Sequence, residues 1–327
     1  MIPVYAEDKA RMLMNQWGRE GRPFFFCISF DRKRSIIVPL EDCGKHGIHF
    51  RFPDRQIGTA YTPAMDPIIT DYTLPSRDHY RKAFDQVQYH LHRGDSYLLN
   101  LTEEVPISLQ GNLADVYQAA RALFTLYIPD QFVCFSPERF IEIEGNTLST
   151  HPMKGTLSAE IPHAREKLLN NPKETAEHYT IVDLLRNDLS MVGRGTSVER
   201  FRYITEIQRR RGNLLQMSSH IQTHLADDWA SQLGDIFFRL LPAGSITGAP
   251  KQKTVEIIQA VESHDRDFYT GVAGIFQEGK VDSTILIRYI TEREGQYYYK
   301  TGGGITTQSH WEDEYNEIRE KIYIPLS

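Results

Sequence analysis

From residue 140 onward the chain repeats one device, a strand-like run, a tight glycine turn and a second run, and this limits the architectures open to it. Phe140-Ile141-Glu142-Ile143-Glu144 alternates apolar and polar residues, turns at Gly145-Asn146 and returns through residues 147–150. Residues 271–277 turn at Glu278-Gly279-Lys280 into 281–291, and that run turns at Glu294-Gly295 into 297–300. Turns this short join antiparallel neighbours, because a parallel pair needs a long crossover. Hairpins outnumber strand–helix–strand units, so the pattern predicts an α+β fold with largely antiparallel sheets and helices on their outer faces.

Other elements can be placed around these hairpins. Residues 8–19 read as a helix, and 24–30, 35–40 and 47–52 as strands. Residues 53–76, rich in Pro, Asp and Thr, read as a connecting loop between a short N-terminal sheet segment (1–75) and the main body (76–327). Ser76 is an expected N-cap for a helix whose stripe is Tyr80, Phe84, Val87 and Leu91, with Gly94 as its stop. A strand is expected over 96–105, a helix over 113–127 and a strand over 131–135. Helices follow at 163–169 and 174–189, an extended run at 214–225, then helices at 229–241 and 252–262. Gly302-Gly303-Gly304 is expected to end the sheet before a last helix over 310–323.

Composition excludes several classes. A net charge of −6 argues against a dedicated nucleic-acid binder, and the one basic run, Arg209-Arg210-Arg211, has no interleaved aromatics. There is no apolar stretch long enough to span a bilayer and no signal-peptide pattern, so a cytoplasmic location is expected. Cys27, Cys43 and Cys134 are scattered, as reduced buried thiols would be.

The chemistry-bearing candidates start with His151-Pro152-Met153-Lys154-Gly155-Thr156, where a hairpin strand ends in a proline-marked loop. A lysine beside a glycine in a dry cleft can lose its proton and act as a nucleophile; in water it is an ordinary loop cation. Glu177 lies four residues before Ile181 on a helix, beside the face that Ile181, Leu184 and Leu185 bury. Glu314 and Glu317 share one side of the last helix. Carboxylates from two rigid helices suit Mg²⁺, although Glu317 and Lys321 also have ion-pair spacing. The Gly302–Gly304 run could present backbone N–H groups to an anion, or be a plain turn. Residues 245–251 lack the spacing of a phosphate loop, and His220 and His224 lack the helix and acid of a zinc protease.

Six stretches in one order, Ser136-Pro137-Glu138-Arg139-Phe140, His151 to Thr156, Ile181-Val182-Asp183-Leu184-Leu185-Arg186-Asn187-Asp188-Leu189, Pro242 to Lys251, Gly302-Gly303-Gly304-Ile305 and Glu314-Tyr315-Asn316-Glu317, resemble the chorismate-utilising enzymes. The resemblance runs from about residue 78 to the end of the chain and implies two packed antiparallel sheets. It implies Mg²⁺ as cofactor, held by Glu177 and Glu317 with Glu314 nearby. It implies substrate contacts from the Gly302, Gly303 and Gly304 backbone, from Arg288 and Lys321 to carboxylates, and from Thr247 to the ring. Within the family, Lys154 implies the aminodeoxychorismate-forming branch, with the anthranilate-forming branch as the alternative, since those members usually carry alanine there. Leu98 stands where isochorismate- and salicylate-forming members use a lysine base. In the aminodeoxychorismate-forming branch Lys154 adds covalently to ring C2 and Glu138, kept protonated, releases the C4 hydroxyl. A separate glutamine amidotransferase is the expected ammonia source. One departure is Gln216, where many relatives carry histidine.

Overall fold

The computed structural model describes residues 1–59, 63, 65–207 and 213–326; the side chains of Lys154, Thr156 and Lys173, and the run Arg209 to Arg211, lie outside the described residues. The chain opens with β1 (Val4–Tyr5), α1 (Glu7–Arg19), β2 (Phe24–Ile28), β3 (Ser35–Pro39), β4 (His49–Phe52), β5 (Arg55–Ile57) and β6 (Ile68–Tyr72). Next come α2 (Arg77–His92), β7 (Leu99–Gln110), α3 (Leu113–Ala119), β8 (Phe124–Ile128) and β9 (Phe132–Ser136). β10 (Arg139–Glu144), β11 (Thr147–Thr150), β12 (Met153–Ser158), α4 (Ala164–Leu169), α5 (Pro172–Ser190), β13 (Arg194–Ile207) and β14 (Leu214–His224) follow. The last part is α6 (Leu233–Leu240), α7 (Gly244–Thr247), α8 (Lys251–Val261), β15 (Val272–Gln277), β16 (Lys280–Ile285), β17 (Tyr289–Arg293), β18 (Gln296–Ile305) and α9 (Trp311–Glu320).

Two sheets result. One runs β1-β3-β2-β15-β16-β10-β11-β14-β12, with β13 also on β14; the other runs β5-β4-β8-β9-β17-β18-β7-β6. Every strand pairing among the described residues is antiparallel, as the hairpin pattern predicts.

The run Phe24-Phe25-Phe26-Cys27-Ile28 is apolar at every position because β2 is buried on both faces. Phe24, Phe26 and Ile28 join a core with Trp17 of α1 and Phe237 of α6. Phe25 and Cys27 face the other way, into a cluster with Phe50, Leu126, Phe132 and Cys134 of the second sheet. That cluster glues the sheets together. The three cysteines are free and buried.

Four expectations need correction. The stretch 53–76 holds two strands, β5 and β6; each is short, and their side chains are mostly exposed, so no apolar alternation marks them. The helix expected to reach Tyr127 ends at Ala119. Ala120 is extended, and Phe124 to Ile128 form β8, largely buried, where periodicity cannot separate strand from helix. The run 281–291 is two strands in different sheets, broken where Arg288 takes a left-handed φ of 58°. The three glycines do not end the sheet but continue β18 along β7.

The helices that matter for the site are well specified. Ser76 caps α2, its Oγ accepting the His79 N–H at 3.2 Å. Before α5, Asn171 Oδ1 accepts the Glu174 N–H at 3.2 Å and Pro172 takes the first helical position. An acid in that first turn is favoured by the helix dipole.

Candidate active site

Three pieces of structure carry the singled-out residues. The first is β12 with α5 laid across it. Lys154 stands opposite Met217 of β14, and Thr156 opposite Gln216, with a register shift between them. Gly155 occupies the bulge at φ 74°, a conformation glycine adopts without strain. A Cβ there would fall 2.9 Å from Leu168 Cδ1 and 3.0 Å from Glu174 Oε2. The glycine therefore lets a helix-borne carboxylate press against the lysine motif. Glu174 was not singled out from the sequence. It stands three residues before the half-buried Glu177, so the spacing argument applied to Glu314 and Glu317 would have found it.

The second piece is β18 between β7 and α9. The register pairs Gly302 with Thr102, Gly303 with Leu101 and Gly304 with Asn100. Thr102 N–H donates to Glu262 Oε1 at 2.8 Å, and the Asn100 carbonyl accepts from Arg266 Nη2 at 2.6 Å. Those groups point away from β18, so Gly302 and Gly304 turn their own N–H and C=O away from β7. Strand β17 pairs with β18 only as far as Lys300. Beyond it, Lys321 Nζ donates to the Gly302 carbonyl at 2.6 Å and pairs with Glu317. The glycine backbone thus offers alternate N–H groups, from Gly302 and Gly304, rather than three in a row. A Cβ on Gly303 would lie 2.9 Å from Glu314 Oε2 and 3.7 Å from Glu317 Oε1. Glu314 is buried. Tyr80, also buried there, has its hydroxyl pKa raised, by burial first and by the Glu314 charge second.

The third piece, α7, links the other two. A Cβ on Gly244 would lie 2.4 Å from Asp188 Oδ2 of α5. A Cβ on Gly248 would overlap the Leu98 carbonyl just before β7, at 1.7 Å. Both glycines are there for close approach. Between them Ser245 Oγ donates to Glu138 Oε1 at 3.1 Å; Ser245 is a second residue that motif reading passed over. Thr247 is fully buried, its hydroxyl donating to the Ala243 carbonyl at 3.2 Å. Arg288 lies with its guanidinium carbon 5.7 Å from the Tyr323 ring centroid, and its buried Nε has no hydrogen-bond partner among the described residues. An orphaned buried donor of that kind suits an anionic ligand.

For Mg²⁺ the donor chemistry fits, since Glu174, Glu177, Glu314 and Glu317 supply only hard oxygens and Gly303 leaves room beside two of them. The arrangement is two pairs on two helices. Among the described residues no three such side chains gather into a cage. The structure brings Glu314 and Glu317 together and leaves Glu177 on α5 with Glu174. The ion pair of Glu317 with Lys321 is also present.

The chorismate binding enzyme family matches residues 41–327. A PabA-like protein of Haemophilus influenzae is 45% identical over 312 residues, which cover 95% of each chain. The aminodeoxychorismate synthase component 1 of Salmonella typhimurium is 36% identical over 262 residues, covering 76% of this chain and 56% of that one. Among solved structures, the menaquinone-specific isochorismate synthase of Escherichia coli superposes with a TM-score of 0.75 at 18% identity, covering 98% of this chain and 82% of that one, a likeness of fold. No helix among the described residues is long and apolar enough to cross a membrane. A match across most of the length, on a fold of two packed antiparallel sheets, places this chain among the chorismate-binding enzymes.

Proposed function

We propose that the chain aminates chorismate at C4, making 4-amino-4-deoxychorismate as component I of an aminodeoxychorismate synthase, a step toward p-aminobenzoate and folate. The observation that carries this reading is the position of Lys154, at the start of β12 and one residue before a bulge against which α5 places a carboxylate. Leu98 supports it too. An apolar side chain there cannot activate water, which disfavours hydroxylation of the ring.

In this mechanism Lys154 Nζ, unprotonated, bonds to ring C2, the two ring double bonds shift, and the C4–O bond breaks. Glu138 gives its proton to the departing oxygen, so the leaving group is water. Ammonia then bonds to C4, the double bonds shift back, and the C2–N bond breaks to return the lysine amine. Covalent catalysis replaces one difficult displacement with two allylic ones. Arg288, Lys321 and the N–H groups of Gly302 and Gly304 hold the two substrate carboxylates by charge-assisted hydrogen bonds. Thr247 backs the ring. Mg²⁺, held by Glu314 and Glu317 and, on the reading from the sequence, by Glu177, would withdraw charge from the ring carboxylate. A glutamine amidotransferase subunit supplies the ammonia.

The test is the mass of the intact protein under turnover with chorismate, Mg²⁺ and ammonium. A chorismate-derived adduct on the peptide containing Lys154, lost in Lys154→Ala together with turnover, is the expected result. Normal turnover by Lys154→Ala would end the nucleophile assignment.

A further inference from the structure

Residue 151 opens the lysine motif, yet nothing in the proposed chemistry uses it. Its surroundings are unusually complete for a half-exposed loop histidine. His151 Nε2 lies 2.8 Å from Glu142 Oε1 of β10. The other carboxylate oxygen of Glu142 is 2.7 Å from Arg139 Nη1. Arg139 turns its Nε to the buried Asp282 Oδ1 of β16, at 2.8 Å. The face of the His151 ring stacks on His220 of β14, centroids 4.7 Å apart and planes 15° from parallel. His220 is itself tied to Ser149 Oγ at 3.2 Å. One ring is therefore fixed at its edge and on its face, by a network that spans four strands, β10, β11, β14 and β16. The Glu142 carboxylate is held below its usual range, first by the His151 hydrogen bond, and the Arg139 charge adds to this.

Two members of this network stand close in sequence to the two groups of the proposed mechanism. Arg139 directly follows Glu138, and His151 stands three residues before Lys154. Among the described residues no strand pairing includes Pro152, which joins the histidine to β12. A backbone bond secures that corner, the Ser219 N–H donating to the Pro152 carbonyl at 3.1 Å.

Resting on that reading of Lys154 and Glu138, we infer that Arg139, Glu142 and His151 are positioning residues that fix the corner leading into β12, and so the distance between the lysine-bearing peptide and Glu138. They touch no substrate. Loosening the corner changes the chemical step and leaves binding alone, because the anion-binding groups lie on β18, α9 and Arg288.

The experiment compares wild type, His151→Ala, His151→Gln and Glu142→Gln for disappearance of chorismate with ammonium, whichever product forms, and for the rate at which formaldehyde and cyanoborohydride methylate Lys154. His151→Ala is expected to lower kcat about tenfold with KM little changed, and to speed methylation of Lys154 while Lys251 of α8, paired with Asp188 of α5, keeps its rate. His151→Gln, which retains a donor toward Glu142, restores both. Glu142→Gln repeats the alanine effect should His151→Ala fail to fold. Unchanged kcat and unchanged Lys154 labelling overturn the inference, as does labelling that rises equally at Lys154 and Lys251. Should the wild type consume no chorismate, the proposed function fails, and the labelling comparison still decides the positioning role.

Discussion

Lys251 Nζ lies 2.8 Å from Asp188 Oδ2, a largely buried ion pair that ties the start of α8 to α5. Burial works against both charges, lowering the lysine pKa and raising that of the aspartate, and each partner offsets part of that for the other. Asp188 also approaches Gly244, so the pair clamps α7, the element that touches Glu138. Removing one partner strands the other: Asp188→Asn should cost about 3–5 kcal/mol of stability. Asp188→Asn combined with Lys251→Met should cost clearly less than Asp188→Asn alone. Urea unfolding midpoints of the single and double variants check this.

Gly303→Ala tests the β18 wall. The added methyl falls 2.9 Å from Glu314 Oε2, so the carboxylate has to move. The expected outcome is a folded protein whose Mg²⁺ activation weakens by about ten- to a hundredfold, because a displaced ligand loses its orientation. Titrating chorismate consumption with Mg²⁺ reads this directly. An unchanged Mg²⁺ response would remove Glu314 from the metal site.

Ser245→Ala probes the acid. The serine hydroxyl donates to Glu138 Oε1, a bond that favours the ionised carboxylate. Without it Glu138 holds its proton to higher pH, so the basic limb of kcat should move upward. The pH profile of the variant against wild type gives the answer, and a shift toward lower pH would contradict the assignment of Glu138 as the acid.

Glu103 supplies a pH dependence of stability. Burial first, and the Glu262 charge second, push its carboxyl up from 4.5 to about 7. A raised carboxyl binds its proton more tightly in the folded state. Its contribution is therefore present in full below about pH 4.5 and is lost as pH rises to about 7. The loss is on the order of 3 kcal/mol. Glu103→Gln, neutral throughout, should flatten this part of the stability curve and be the more stable protein at pH 8. Equal slopes for the two proteins between pH 5 and 7 would count against it.

The hairpins were legible because glycine turns and alternation are local signals, and the register of β10 with β11 follows from them. The crossing at Arg288 was not. Ile285, Leu286, Tyr289 and Ile290 are buried on either side of the break, so hydrophobicity runs through it. The glycines of β18 misled for a related reason. Three in a row normally mark a turn, but here Gly302 and Gly303 make room for β7 and for Glu314. Glu174 and Ser245 were hidden because their meaning lies in partners distant in sequence, Gly155 and Glu138.

Amination at C4 with the enolpyruvyl ether retained is the outcome the proposed chemistry requires. Incubation of the protein with chorismate, Mg²⁺ and ammonium, followed by mass spectrometry of the products, tests it most directly. The predicted product carries an amino group in place of the C4 hydroxyl and keeps the enolpyruvyl group. Anthranilate with released pyruvate, or chorismate left intact, would contradict it.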